Sequence, residues 1–205
     1  MLDRIKELAT ALTPRLIEIR RHIHAHPELS GQEHQTAVYV AGVLSSCGLH
    51  VQECVGKTGV VGELKGSNPE ASWLAIRTDM DALPILEATG AEYASRQSGI
   101  MHACGHDLHT TVGLGTAMIL SQLGEVLPGH VRFLFQPAEE IAQGASWMIA
   151  DGVMDNVSAI LGLHVFPSIL TGKVGIRHGV LTAAADDLEL VIRGEWVMVR
   201  GPMKR

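Results

Sequence analysis

Trp73-Leu74-Ala75-Ile76-Arg77-Thr78-Asp79-Met80-Asp81-Ala82-Leu83-Pro84 decides the fold. Its first four residues form an apolar run without polar alternation, the pattern of a central strand covered on both faces. The run then opens into a loop carrying two carboxylates, Asp79 and Asp81. A strand buried on both sides needs helices against the sheet, and the flanking sequence supplies them. Upstream, Leu2, Ile5, Leu8, Leu12, Leu16, Ile17, Ile19 and Ile23 recur at helical spacing over residues 2–27. Thr13-Pro14 reads as a cap and first-turn proline, so a break or kink is expected near residue 13. His26-Pro27 ends this helix, and a second is predicted from about Glu33 to Cys47, stopped by Gly48. Val51–Val55 and Gly59–Leu64 read as short strands.

Downstream, residues 85–100 are polar and irregular. Thr110–Leu123 is an apolar helix rich in Ala, Gly and Leu, suited to close packing against a sheet. Val131–Phe135 is a second buried strand and Ala142–Asp151 a short helix. Ala159–Val165, Lys173–Arg177 and Leu188–Ile192 are strand-like. Strands alternating with helices predict an α/β fold, a three-layer sandwich around a mostly parallel sheet. Ligands collect beyond the carboxyl ends of the strands in such sheets, where Asp79, Asp81, Glu139, Glu140 and His164 all fall.

The totals agree with a globular chain. Of 205 residues 46% are hydrophobic and 22 are glycine, which excludes disorder and a collagen-like repeat. Net charge is −6 with both signs dispersed, so neither a nucleic acid nor a membrane surface is an expected partner; small molecules are. Cys47, Cys54 and Cys104 are too few and scattered for a disulfide framework. The N-terminus has no hydrophobic signal core, and no apolar stretch nears the ~20 residues that span a bilayer. A cytoplasmic location is expected.

The chemistry concentrates in Met101-His102-Ala103-Cys104-Gly105-His106-Asp107-Leu108-His109. Cys104 and His106 can reach one metal only from a tightly turned backbone, which Gly105 makes inexpensive. A thiolate with imidazoles suits a late first-row divalent ion. Adjacent Glu139 and Glu140 would repel if buried; a metal resolves this, one Glu binding it and the other taking a proton from activated water. A solvated acidic turn is the alternative. His164, among apolar residues at a strand end, is either a core histidine or a ligand. Asp79 and Asp81 would orient ligand imidazoles, or else sit in Asx-turns. Asp107 reads as the cap of the helix beginning near Leu108, or as a catalytic group. His109 either supports a ligand or substrate or is an ordinary helix-start histidine. His22, His24 and His26 read as structural or surface groups.

With these residues in view, the chain resembles the metal-dependent amidohydrolases that cleave N-acyl amino acids, the hippurate hydrolase, aminoacylase and auxin-conjugate hydrolase group. The matching pieces are Arg21-x-x-His24-x-x-Pro27-Glu28-Leu29-Ser30, Arg77-Thr78-Asp79-Met80-Asp81-Ala82-Leu83-Pro84-Ile85, Met101 to Asp107, Gln136-Pro137-Ala138-Glu139-Glu140 and Gly162-Leu163-His164. Their order and spacing fit from about residue 4 to 194. The resemblance implies a site for two divalent ions, Zn or Mn. Cys104 would bridge them, His106 and His164 would complete one, Glu140 would hold the other, and Glu139 would be the general base. Asp79, Asp81, Asp107 and His109 would form the surrounding shell. The substrate would be a small N-acyl-L-amino acid.

The chain departs from the family pattern at Leu108, where the family has Gly, and after Gly194. Family members are roughly twice this length and contribute a further His ligand and a lid His from the part beyond. Residues 1–185 are therefore expected to be the first part of a metal-binding catalytic domain, 186–194 the start of a lid, and 195–205 a non-matching tail. On this expectation one ion keeps its ligands, the second is weakened, and a homodimer belongs only to the full-length form. Two alternatives follow: a remnant that binds metal without turnover, and a dipeptidase or N-acetyl-diamino-acid deacetylase.

Overall fold

The computed structural model describes residues 1–181 and residue 191. They divide into a body, Met1–Pro167, and a segment from Ser168 onward. The body comprises helices α1 (Leu2–Ala25), α2 (His34–Ser46), α3 (His106–Ser121) and α4 (Gly144–Ala150). Its strands are β1 (His50–Val55), β2 (Gly59–Leu64), β3 (Trp73–Asp79), β4 (His130–Gln136) and β5 (Val157–Gly162).

The five strands form one mixed sheet in the order β1-β2-β4-β3-β5. β3 lies parallel to both β4 and β5, while β2 is antiparallel to β1 and β4. Four strands therefore run one way and β2 runs against them. Alternation along β4 shows the layering. Phe133 and Phe135 enter a core with Ile19, Ile23, Val40, Leu44 and Leu114 from α1–α3, whereas Leu134 joins Ala75, Val61 and Met148 on the α4 side. Helices thus cover both faces of β3 and β4, as the unbroken apolar run at Trp73 requires.

Two glycines let α3 close on its neighbours. A Cβ at Gly113 would stand 3.0 Å from Thr78 and 3.1 Å from Phe135, and one at Gly115 would stand 3.0 Å from Leu16 of α1. α1 itself runs through Pro14 without the expected break. Pro14 is exposed, and the proline removes only one backbone bond. The buried stripe Leu8, Ile19 and Ile23 lies on both sides of it and holds the helix together. Thr13 does not cap; its hydroxyl donates to Ala9 O at 2.9 Å.

In the second unit, the described residues 168–181 form turns and irregular chain. The strand predicted at Lys173–Arg177 is not formed: Val174 and Ile176 are 87% and 84% exposed. Apolar alternation makes a strand only where a neighbouring edge takes up its backbone groups, and none does so among the described residues. The strand expected at Leu188–Ile192, Val191 apart, lies outside the described residues, as do the domain boundaries expected at 185/186 and 194/195. Among the described residues no helix is long and apolar enough to cross a membrane.

Candidate metal centre

Three parallel strands deliver the site. β3 and β4 end level with one another at the Asp79–Gln136 pair, and β5 ends at Gly162 opposite Arg77. Asp81, Glu139, Glu140 and His164 follow within four residues of those ends. From the helical layer, α3 begins at His106 behind Gly105, whose φ of +93° is the left-handed turn that brings Cys104 and His106 to one place.

His106 is fully buried. Its Nδ1 donates to Asp81, to the backbone O at 2.9 Å and to Oδ1 at 3.2 Å. That fixes the ring orientation and turns Nε2 into the cluster, where it offers its lone pair once the ring is deprotonated. Nε2 lies 3.7 Å from each of Asp79 Oδ1, Glu139 Oε2 and Glu140 Oε1. His164, which lies beyond β5, donates from Nδ1 to Val165 O at 2.7 Å, so its Nε2 faces Cys104 Sγ at 3.4 Å. Two groups of potential ligand atoms, Cys104–His106–His164 and His106–Glu139–Glu140, each lie within 4.8 Å of one another. They share His106.

A third group, Asp79–His106–His109, is already satisfied internally. His109 Nδ1 donates to Asp79 Oδ1 at 2.7 Å, and its Nε2 accepts the Val165 N–H at 2.9 Å. Both ring nitrogens are spent, so His109 braces the backbone beside His164. Arg77 Nη1 donates to Asp79 Oδ2 at 2.7 Å. Asp81 Oδ2 accepts Ser30 Oγ at 2.7 Å and the Glu140 N–H at 3.0 Å.

Charge at the centre is unbalanced. Burial resists ionisation of Asp79 and Asp81, but hydrogen bonds from His109 and His106 outweigh it and hold both below the usual carboxylate range. Burial likewise opposes charge on His106, yet the Asp81 hydrogen bond and the carboxylates around it push its pKa up to about 9. Burial, then the Glu140 and Glu139 carboxylates, push the Cys104 thiol up to about 12. Burial also raises Glu140. His106 Nε2 and Glu140 Oε1 are buried with no hydrogen-bond partner. Donors about 2 Å from one ion stand roughly 3–4 Å from each other, which is the spacing here. One thiol, two imidazoles and two carboxylates around unpartnered atoms fit a divalent cation.

Asp107 stands apart from this cluster and is not the helix cap, because α3 starts one residue earlier, at His106, with Gly105 in the cap position. Its Oδ2 accepts His24 Nδ1 at 2.7 Å and lies 2.8 Å from Arg20 Nε, while His24 Nε2 lies 3.2 Å from Glu87. His24 is therefore a buried member of an ion-pair network that fastens α1 to α3. His102, buried beside it, has its pKa lowered by burial to about 4 and is neutral near pH 7. Sequence reasoning missed Arg20, Ser30 and Glu87 as partners. Only Ser30 had a signal, its place in the Pro27-Glu28-Leu29-Ser30 motif.

Residues 75–202 match Peptidase family M20/M25/M40. The chain is 72% identical over 191 residues to "Probable hydrolase sll0100" of Synechocystis sp., covering 93% of this chain and 49% of that protein. It is 46% identical over 194 residues to "N-acyl-L-amino acid amidohydrolase" of Geobacillus stearothermophilus, covering 94% and 52%. Among solved structures, the Bacillus subtilis YXEP protein, described as a dinuclear metal binding peptidase from the M20 family, superposes with a TM-score of 0.78. The identity is 46%, over 85% of this chain and 47% of that one. The chain spans about half the length of the curated relatives it matches. On this sequence match, and with the same layered fold, the chain belongs to Peptidase family M20/M25/M40.

Proposed function

We propose that the chain carries the metal-binding centre of an amidohydrolase that cleaves the amide bond of N-acyl-L-amino acids. The observation behind this is the meeting of five donors, Cys104, His106, Glu139, Glu140 and His164, around unpartnered buried atoms. The substrate class follows the name of the Geobacillus relative. In this reading Cys104, His106 and His164 would hold one divalent ion, Zn or Mn, and Glu140 would help to hold a second. Bound ions supply Lewis-acid polarisation of the scissile carbonyl and bring the pKa of water to roughly 7.

Glu139, its side chain 37% exposed and thus open to water, accepts a proton as the water oxygen adds to the carbonyl carbon. It then returns that proton to the nitrogen as the C–N bond breaks, giving a carboxylic acid and a free amino acid. Asp81 holds His106 and the Glu140 backbone; Asp79 acts through His109 on the loop of His164. Asp107 serves the fold rather than the ions. The proposal keeps a cytoplasmic setting, in which Cys47 and Cys54 would stay reduced.

Hydrolysis of hippurate and N-acetyl amino acids, measured together with metal content, tests the proposal. About two ions per chain with turnover are expected. Glu139→Gln should abolish turnover and retain metal; equal turnover would remove Glu139 from the reaction. About one ion per chain with no hydrolysis would instead leave metal binding without catalysis and overturn the proposed turnover.

A further inference from the structure

Apart from Ser30, which donates to Asp81, the Pro27-Glu28-Leu29-Ser30 motif and the residues after it have no part in the chemistry above, yet Glu33 among them bonds the backbone beside Glu139. Glu33, the residue before α2, is fully buried. It does not cap its own helix, and among the described residues it has no cationic partner. Its Oε1 instead accepts the N–H groups of Gly31 at 2.9 Å and Ala138 at 2.8 Å, and its Oε2 accepts the Thr58 hydroxyl. A carboxylate buried without a cation is costly unless hydrogen bonds satisfy it, so this arrangement needs a reason.

Ala138 supplies one. It immediately precedes Glu139, is fully buried, and has φ of +49°, a left-handed conformation that L side chains resist. Its carbonyl accepts Gln143 N at 3.2 Å and Gly144 N at 3.1 Å, and Glu139 O accepts Ala142 N at 2.8 Å. Three residues from Glu33, Ser30 donates to Asp81, whose same oxygen accepts the Glu140 N–H. The Ala138–Glu140 backbone is thus gripped at both ends, by Glu33 at Ala138 and by Asp81 at Glu140, with Glu139 between them.

We infer that Glu33 is a positioning residue: by holding Ala138 left-handed it sets the direction in which Glu139 and Glu140 face the metal centre. The inference rests on the metal-binding reading for its consequence, but the grip on Ala138 is measurable without metal. Glu33→Ala leaves the Ala138 N–H and the Thr58 hydroxyl without an acceptor and releases the strained alanine. Glu33→Gln keeps one oxygen to accept and turns an amide donor to Thr58. Glu33→Asp keeps the carboxyl group and shortens the reach by one methylene. Glycine adopts a left-handed φ freely, so Ala138→Gly should restore much of what Glu33→Ala loses.

The experiment has two readouts on the full chain. In the metal-free protein, amide hydrogen exchange at Ala138 and Glu140 should quicken at least about tenfold in Glu33→Ala while α3 keeps its protection. In a Co(II) titration, Glu33→Ala should bind about 10- to 100-fold more weakly. Its visible bands should change while the Cys104 thiolate-to-cobalt band persists. Glu33→Gln should stay close to the original chain, and Ala138→Gly added to Glu33→Ala should recover affinity. If Glu33→Ala does not fold, Glu33→Asp carries the same expectations. Unchanged exchange at Ala138 and Glu140 in the folded variant overturns the inference, and so does unchanged Co(II) affinity and spectrum where the original chain binds. An original chain that binds no Co(II) removes the metal-centre reading, and the exchange result then decides on Glu33 alone.

Discussion

Metal binding here should expel protons, and their number follows from the structure. Two of the proposed ligands hold a proton at pH 7 in the metal-free chain: His106, with its pKa pushed up to about 9, and Cys104, pushed up to about 12. A cation takes the imidazole lone pair and the thiolate, so each ion bound by both must displace one proton from each. Because both values lie above neutrality, affinity rises with pH. Between pH 7 and 8 the apparent association constant should climb about 100-fold, the consequence of two protons released, and above pH 9 the climb should fall to about tenfold per unit. Calorimetric titration with Zn(II) in buffers of different ionisation enthalpy counts the protons directly. Cys104→Ser should reduce the count from about two to about one and the slope to about tenfold per unit. Asp81→Asn, which removes the carboxylate bonded to His106, should lower the His106 pKa and reduce the count at pH 8. Identical heats in every buffer, or a Cys104→Ser variant with an unchanged count, would refute the reasoning.

The supporting residues carry two further expectations. His109→Phe deletes the donor to Asp79 and the acceptor for the Val165 N–H; metal affinity should drop about 10- to 100-fold with the fold intact. Calorimetry on a variant verified by circular dichroism would show it, and wild-type affinity would make His109 a bystander. Asp107→Ala leaves His24 and Arg20 facing one another in a buried pocket, and breaking such a pair costs about 3–5 kcal/mol. Urea unfolding of the metal-free chain measures this; a shift below about 1 kcal/mol would show the network to be idle.

The site was legible in the sequence to the extent that parallel strands broadcast themselves. Trp73-Leu74-Ala75-Ile76 could only be a strand covered on both faces, so the polar residues after it had to lie at a carboxyl edge, beside those following Val131–Phe135. Illegible were the features decided by tertiary contacts. Pro14 looked like a helix start because local propensity says so, and buried packing at Leu8, Ile19 and Ile23 outweighed it. Asp107 had the composition of a cap, but Gly105 took the turn and left the carboxylate to His24, 83 residues away in sequence. Glu33 lies 105 residues from Ala138, a separation across which no periodicity carries a signal. Lys173–Arg177 alternates as a strand should, yet alternation is silent about whether an edge exists to receive it.

X-ray absorption at the zinc edge of the Zn(II)-loaded chain tests the central claim most directly. One sulfur at about 2.3 Å with nitrogen and oxygen neighbours near 2.0–2.1 Å is expected, and the sulfur shell should vanish in Cys104→Ser. A zinc environment without sulfur, or one that Cys104→Ser leaves unaltered, would contradict the claim that Cys104, His106 and His164 grip one ion.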